Sequence, residues 1–401
     1  MSAEQTPRSM RYNIVLVGCR NAGKSSLINA LTDQEVAIVS PEAGTTTDVV
    51  AKPYELLPLG PVTFFDTAGL DDTSSLGETR IKATQKALYK ADVALLVIGE
   101  NGISEFDKEI ANNLTKMRIP FIVALNKSDI KRDLSKDELF LKENNIAFAV
   151  TSTLNNSGIN DLKNIIIKAI PDEKKEDLSL LKGLVDPKDC VILVTPIDSS
   201  APKNRLILPQ VQVLREILDL RSVAVVTQVE ELDKAISSLK DKPKIVITDS
   251  QAVAQVNKIT PDYLELTTFS ILFARFKGDL KTMVDGARAI DDLRDGDKIL
   301  IAEACSHHAQ DDDIAKVKIP NLLKKYTKKS IDFEFCNGCD FPENLEKYKL
   351  VIHCGACMIN RMEMNHRMDE CVRRGVPITN YGVAISKAQG ILDRVIKPFG
   401  L

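Results

Sequence analysis

The apolar run Ile14-Val15-Leu16-Val17 passes directly into Gly18-Cys19-Arg20-Asn21-Ala22-Gly23-Lys24-Ser25, and then into Ser26-Leu27-Ile28-Asn29-Ala30-Leu31, whose spacing is helical. This arrangement demands a buried strand that hands over to a helix through a loop with glycine at its first and sixth positions. Backbone N–H groups freed by the glycines can curl around phosphate oxygens, Lys24 can place a point charge on the terminal phosphates, and the Ser25 hydroxyl can ligate Mg²⁺. Gly18, Asn21, Ala22, Gly23, Lys24, Ser25 and Ser26 are therefore the candidate phosphate-binding residues.

Further elements follow in order. A second apolar stretch, 62–65, ends in Asp66-Thr67-Ala68-Gly69, which sets a carboxylate at a strand end for the Mg²⁺ shell and a glycine N–H beside the last phosphate. Between the two lies a polar loop with Thr45-Thr46-Thr47-Asp48, suited to a switch segment, with Thr46 the expected Mg²⁺ ligand. After the expected strand 121–125 comes Asn126-Lys127-Ser128-Asp129, where the Asp129 carboxylate can accept the two donors of a guanine edge that adenine lacks. Ser152 and Thr153, with Thr151, follow the expected strand 146–150 and are placed for backbone contact with guanine O6. The ligand expected from these residues is GTP with Mg²⁺.

Over roughly 10–170 this series resembles the translation-factor-related GTPases, and within them the MnmE/TrmE-like, Era-like group. Leu70 stands where the Ras-type pattern has a water-orienting Gln, and Leu70 cannot polarise water, so slow intrinsic hydrolysis is expected. The resemblance implies a substitute. An Asn in the phosphate loop, here Asn21, would help bind K⁺, and a Glu twelve residues beyond the strand-end Asp, here Glu78 (66 + 12), would orient the water. With Lys24 and Thr46, Glu78 completes the expected catalytic set. A solvated carboxylate at the start of a helix over 78–91 accounts equally for Glu78.

The rest of the chain alternates between strand and helix patterns. At about 150 residues per domain, 401 residues suggest two or three domains. The expected class is α/β: a P-loop GTPase domain over 1–175, then two βα-layered domains with mainly parallel sheets, a scaffold or dimerisation domain over 176–270 and a cysteine-rich domain over 271–401. Fifty-three Lys and Arg against 56 Asp and Glu leave a net charge of −3, which removes a general attraction to nucleic acid or anionic lipid. The first residues are polar and no 18 apolar residues run together, so neither a signal peptide nor a membrane span is expected and the chain reads as cytoplasmic.

Six of the eight cysteines crowd the last hundred residues: Cys305, Cys336, Cys339, Cys354, Cys357 and Cys371. Cys305 follows an expected strand over 298–302, and Cys354 and Cys357 follow another over 350–353. If those strands are parallel neighbours, about 4.8 Å apart, the three thiolates meet at one sheet edge and suit an iron–sulfur cluster with one open position. Cys336-x2-Cys339 with Cys354-x2-Cys357 keeps a zinc site open. Against it, residues 340–349 read as a helix-plus-strand crossover that would occupy the space between the pairs.

Cys305-Ser306-His307 and His353-Cys354-Gly355-Ala356-Cys357 resemble the C-x-H … H-C-x-x-C pattern of the HydF family of [FeFe]-hydrogenase maturation GTPases. That resemblance implies a [4Fe–4S] cluster on Cys305, Cys354 and Cys357 whose fourth position is exchangeable, with His307 and His353 as candidates for it or for a role behind the ligands. It further implies a transient di-iron precursor as cargo, radical-SAM maturases as its source, apo-[FeFe]-hydrogenase as its destination, and a homodimer. The competing expectation is an Era-like GTPase of RNA modification or ribosome assembly with a zinc-binding C-terminal domain.

Overall fold

A computed structural model describes residues 6–33, 49–67, 77–130, 133–170, 179–197, 204, 206–304, 314–338, 341–342, 344–357 and 359–401, the side chains of 77–82 excepted. The chain divides into two compact units, Met1–Asp177 and Leu178–Leu401.

The first unit is built on a six-stranded sheet in the order β2-β3-β1-β4-β5-β6. The strands are β1 (Tyr12–Val17), β2 (Val50–Leu56), β3 (Gly60–Asp66), β4 (Val93–Ile98), β5 (Phe121–Leu125) and β6 (Phe148–Val150). Only β2 runs antiparallel to its neighbour; the remaining pairs are parallel. Helices α1 (Lys24–Thr32), α2 (Gly77–Leu88), α3 (Glu105–Lys116), α4 (Ser135–Glu143) and α5 (Ile159–Ala169) connect them. Every residue of β4 is buried, as a strand covered on both faces requires. One core cluster lies around Leu27, Phe64 and Leu162 and the other around Val15, Leu96 and Leu114. The parallel α/β fold expected for this part is present.

The second unit holds two four-stranded sheets, both wholly parallel. The middle sheet has the order β10-β9-β7-β8, from β7 (Cys190–Val194), β8 (Val223–Thr227), β9 (Ile245–Thr248) and β10 (Glu265–Thr268). The last has the order β12-β11-β13-β14, from β11 (Lys298–Glu303), β12 (Asp332–Asn337), β13 (Leu350–His353) and β14 (Ile378–Asn380). Between and after these strands come α6 (Leu208–Asp219), α7 (Leu232–Ser238), α8 (Val253–Ile259), α9 (Phe269–Lys277), α10 (Leu280–Arg288), α11 (Ile319–Thr327), α12 (Arg361–Arg373), α13 (Tyr381–Ala388) and α14 (Leu392–Ile396). A single core cluster contains residues of both sheets, from Ile192 and Leu266 to Ile301 and Ile352.

The connection into β13 differs from expectation. No helix forms among the described residues of 341–349; the chain makes a turn in which the Tyr348 N–H donates to the Leu345 carbonyl at 2.9 Å. Leu345 and Tyr348 are both buried, and the Tyr348 hydroxyl donates to Glu334 at 2.7 Å. With Pro342 at its start, which restricts the backbone and offers no N–H, two anchoring side chains suffice to fasten this short return. Helix α12 begins at Arg361, where the Asn360 side chain accepts the Glu363 N–H at 3.0 Å as an N-cap.

Candidate functional site

Two sites take shape, one in each unit. In the first, the loop between β1 and α1 needs glycine at both ends. Gly18 has φ +142° and Gly23 φ +95°; a Cβ at Gly18 would meet the Val97 carbonyl and one at Gly23 the Asn126 side-chain nitrogen. Asn126, fully buried at the end of β5, donates to the Ala22 carbonyl at 3.0 Å and accepts from the Thr151 hydroxyl at 3.2 Å. It thereby bolts the phosphate loop to the base-recognition loops, and a buried bond of this kind is worth about 1 kcal/mol while an orphaned partner costs more. Asn21 sits exposed at the loop tip with φ +59°. Ser26 lies half-buried in the first turn of α1.

Lys24 is buried and donates to the carbonyls of Gly18 at 3.0 Å and Cys19 at 2.8 Å, which holds its ammonium over the loop. Ser25 Oγ donates to Asp66 Oδ2, while Asp66 Oδ1 is buried with no hydrogen-bond partner among the described residues. Burial pushes the Asp66 carboxyl up from its ordinary value, opposed by the Ser25 hydrogen bond and by the charges of Lys24 and Lys52. A buried carboxylate oxygen without a donor beside a serine hydroxyl is a donor set that fits Mg²⁺, a hard cation taking oxygen ligands. The first helical turn adds its unsatisfied N–H groups, as anion sites at helix N-termini do.

At the base end, Ser152 is fully buried and donates through its hydroxyl to Asp129 Oδ1, aligning a carboxylate that is itself exposed. Lys127, with φ +59°, pairs with Glu100 at 3.0 Å. Of the three N–H groups expected near guanine O6, that of Thr151 is given to Leu125 and that of Ser152 to Ser157, which narrows the expectation to Thr153. Thr45, Thr46, Gly69 and Leu70 lie outside the described residues, as does the side chain of Glu78, whose backbone belongs to α2.

The second site lies at the C-terminal edge of the last sheet. β11 and β13 are parallel neighbours, with Ala302 in register with His353. Beyond the ladder, the Cys354 N–H donates to the Ala302 carbonyl at 2.8 Å and the Ala304 N–H donates to Cys354 Sγ at 3.2 Å. The residue after Ala304 is Cys305; Cys305, His307 and Cys339 lie outside the described residues. Cys354 and Cys357 are both partly covered, and burial pushes the Cys354 thiol up to about 11 and raises that of Cys357. Backbone N–H groups oppose this at both thiols, joined by the charge of Arg367 at Cys354 and of Lys277 at Cys357. No group of three or more metal-binding side chains assembles among the described residues.

His353 is fully buried and both of its ring nitrogens are engaged. Arg367 Nη1 lies 2.9 Å from Nε2, and a guanidinium only donates, so Nε2 is the acceptor and Nδ1 carries the proton it gives to the Cys354 carbonyl at 2.9 Å. Burial and then the Arg367 charge push His353 down to about 3, opposed by the Cys354 carbonyl. In this arrangement His353 stands behind Cys354, with no ring lone pair left for a metal. Arg367 also donates to the Gly338 carbonyl at 2.7 Å and to Glu363 at 2.8 Å, so it ties together the ends of β12 and β13 and helix α12.

Arg367, Glu363 and Lys277 were not legible as site residues. The first two carry a weak signal, a carboxylate and a guanidinium four apart on the helix that follows the cysteines. Lys277 carries none, since a lysine before Gly278 reads as a solvated helix end. Cys336 is half-buried on β12 in register with Ala302, and Cys371, wholly buried, is pushed up to about 12 mainly by burial, as a core residue would be.

Three protein families match successive parts of the chain: the 50S ribosome-binding GTPase over 13–127, the hydrogen maturase F dimerization domain over 180–278 and the hydrogen maturase F tetramerization domain over 281–398. Among curated proteins, the tRNA modification GTPase MnmE of Prochlorococcus marinus (strain NATL1A) is 36% identical over 172 residues, 42% of this chain and 36% of that protein. GTPase Der of a Nitratiruptor species is 40% identical over 128 residues, 31% of this chain and 28% of that protein. The match thus spans only about 28–36% of these relatives' length. Among solved structures, Aquifex aeolicus Era bound to GDP and aluminium fluoride is 23% identical, covering 54% of this chain and 92% of that one, with a TM-score of 0.37.

Proposed function

We propose, from the premise that this chain belongs to the HydF family of hydrogen maturases, that it is a GTP hydrolase and a carrier for iron–sulfur cargo. In this reading Cys305, Cys354 and Cys357 hold a [4Fe–4S] cluster, and a di-iron precursor made by radical-SAM maturases is received there and delivered to apo-[FeFe]-hydrogenase. The observation that carries it is the Ala304 N–H to Cys354 Sγ contact across β11 and β13, which supports bringing Cys305 beside Cys354 although 48 residues separate them in the chain (306–353). When bound, the cluster supplies an iron coordination position that an incoming group can occupy and leave. The chain's own residues do the rest: His353 orients the Cys354 backbone and Arg367 holds two strand ends in place.

GTP would bind with Lys24 and the 18–25 loop on its phosphates, Ser25, Thr46 and the Asp66 shell on Mg²⁺, and Asp129, Ser152 and Thr153 at the base. Asn21 would help hold K⁺ and Glu78 would orient the attacking water, giving hydrolysis that is slow and potassium-stimulated. Loss of the last phosphate releases the switch around Thr46 and Asp66 and so alters contacts with partners. The match to the tRNA modification GTPase of Prochlorococcus marinus is confined to 36% of that protein's length and supports the nucleotide domain, not an RNA partner. A cytoplasmic role is part of this reading. No helix among the described residues is long and apolar enough to cross a membrane. A homodimer is supported by the dimerization-domain match and by the exposed edge strand β8.

Anaerobic reconstitution with iron and sulfide tests the carrier reading. Wild-type protein is expected to bind about four irons per chain and, once reduced, to give a paramagnetic signal. Cys305→Ala and Cys354→Ala should abolish it, and Cys336→Ala should not. A colourless wild type, or loss of zinc on changing Cys336, defeats the proposal.

A further inference from the structure

Helix α9 ends in a charge that patterning assigns to solvent and the fold encloses. Lys277 is 2% exposed at the last position of a helix whose Phe269, Ile271, Leu272, Phe273 and Phe276 are buried as well. Its ammonium donates to the Ile359 carbonyl at 3.1 Å and lies 5.3 Å from the centroid of the Phe276 ring. Ile359 is two residues beyond Cys357, and its own N–H turns back onto the Ala356 carbonyl at 3.3 Å, where Ala356 has φ +56°. The lysine therefore grips the loop that carries Cys354 and Cys357 from below.

The location matters as much as the charge. Lys277 belongs to the segment matching the dimerization domain, which ends at 278, whereas the cysteine loop belongs to the segment matching the tetramerization domain, which starts at 281. One domain thus reaches into the candidate metal loop of the other. A buried cation is poorly screened by salt and favours each negative charge added nearby. The first such charge is the Cys357 thiolate, two residues before the carbonyl that Lys277 holds at 3.1 Å. The next is an electron given to a cluster held there by an external reductant such as dithionite, which makes its net charge one unit more negative with no bond made or broken.

We propose that Lys277 is a positioning residue of the iron–sulfur site, contributed by the dimerization domain, which fixes the Cys357 loop through the Ile359 carbonyl and favours the reduced state of the bound cluster. This rests on the cluster reading above.

The test uses the full chain, reconstituted anaerobically with iron and sulfide, as wild type, Lys277→Met and Lys277→Arg, with iron content and a redox titration followed by paramagnetic resonance. In Lys277→Met the reduction equilibrium is expected to fall at least tenfold, a midpoint more negative by about 59 mV for one electron, and Lys277→Arg is expected to restore it. If Lys277→Met does not fold, Lys277→Gln, which keeps a donor and loses the charge, is read by the same criterion. Loss of iron from the uncharged variant with unchanged circular dichroism, rescued by Lys277→Arg, also supports the role. Iron-loaded uncharged variants with the wild-type midpoint overturn this inference alone, whereas a wild type that takes up no iron overturns it together with the cluster reading.

Discussion

His353 shows how far a residue's role is decided by what surrounds it. In sequence it is one of the two histidines within the C-x-H … H-C-x-x-C pattern and reads equally as a ligand or as support; in the fold Arg367 and the Cys354 carbonyl occupy both ring nitrogens. The pH dependence follows from its value of about 3 against an ordinary 6.5. Above pH 6.5 neither the folded nor the unfolded chain protonates it. Below 6.5 the unfolded chain takes up a proton that the folded one refuses, so stability falls as pH drops toward 3, by about 1.4 kcal/mol per pH unit. Urea midpoints of the metal-free protein at pH 7, 6 and 5 should decline, and His353→Gln should flatten that decline; the same slope in both proteins contradicts the assignment. Motif residues of the phosphate loop were legible because their work is local, done by glycine conformations and a helix start. Arg367 was not, because two of its three partners, His353 and the Gly338 carbonyl, come from other segments of the chain.

At the scale of elements, strands were read well wherever apolar runs were continuous, as in β5 and β13, whose bounds match expectation. The connection before β13 was misread as helical, since spacing alone cannot distinguish a helix from a turn pinned by Leu345 and Tyr348. The start of α12 was available in the sequence as Asn360 followed by Glu363, a capping signature. Edge strand β8 carries a separate consequence. Val223 and Val226 are 56% and 44% exposed, whereas all of β9 is buried, and a strand edge with apolar side chains is a ready template for another chain. If β8 forms the proposed homodimer interface, Val226→Lys shifts sedimentation toward the monomer while leaving circular dichroism unchanged. A dimer of undiminished affinity removes β8 from the interface.

At the scale of the whole molecule, the division after Asp177 places the nucleotide residues and the cysteine loop in different compact units, each with its own core. A fragment of residues 1–177 is accordingly expected to hydrolyse GTP within about twofold of the full chain, since a domain with its own core keeps its site. Both should be faster in KCl than in NaCl; equal rates in the two salts remove the roles given to Asn21 and Glu78, and a silent fragment shows that the second unit is needed. The sequence by itself determined the nucleotide site, because strand, glycine loop, lysine and helix are consecutive and their chemistry needs no distant partner. It also determined the parallel character of the sheets, through unbroken apolar strands alternating with helices. Only the tertiary structure decided that β11 and β13 are neighbours, that His353 faces an arginine and that a lysine from α9 lies under the cysteine loop. Such contacts join residues tens of positions apart, and burial, which turns an ordinary lysine or histidine into a consequential one, is a property of the packed molecule.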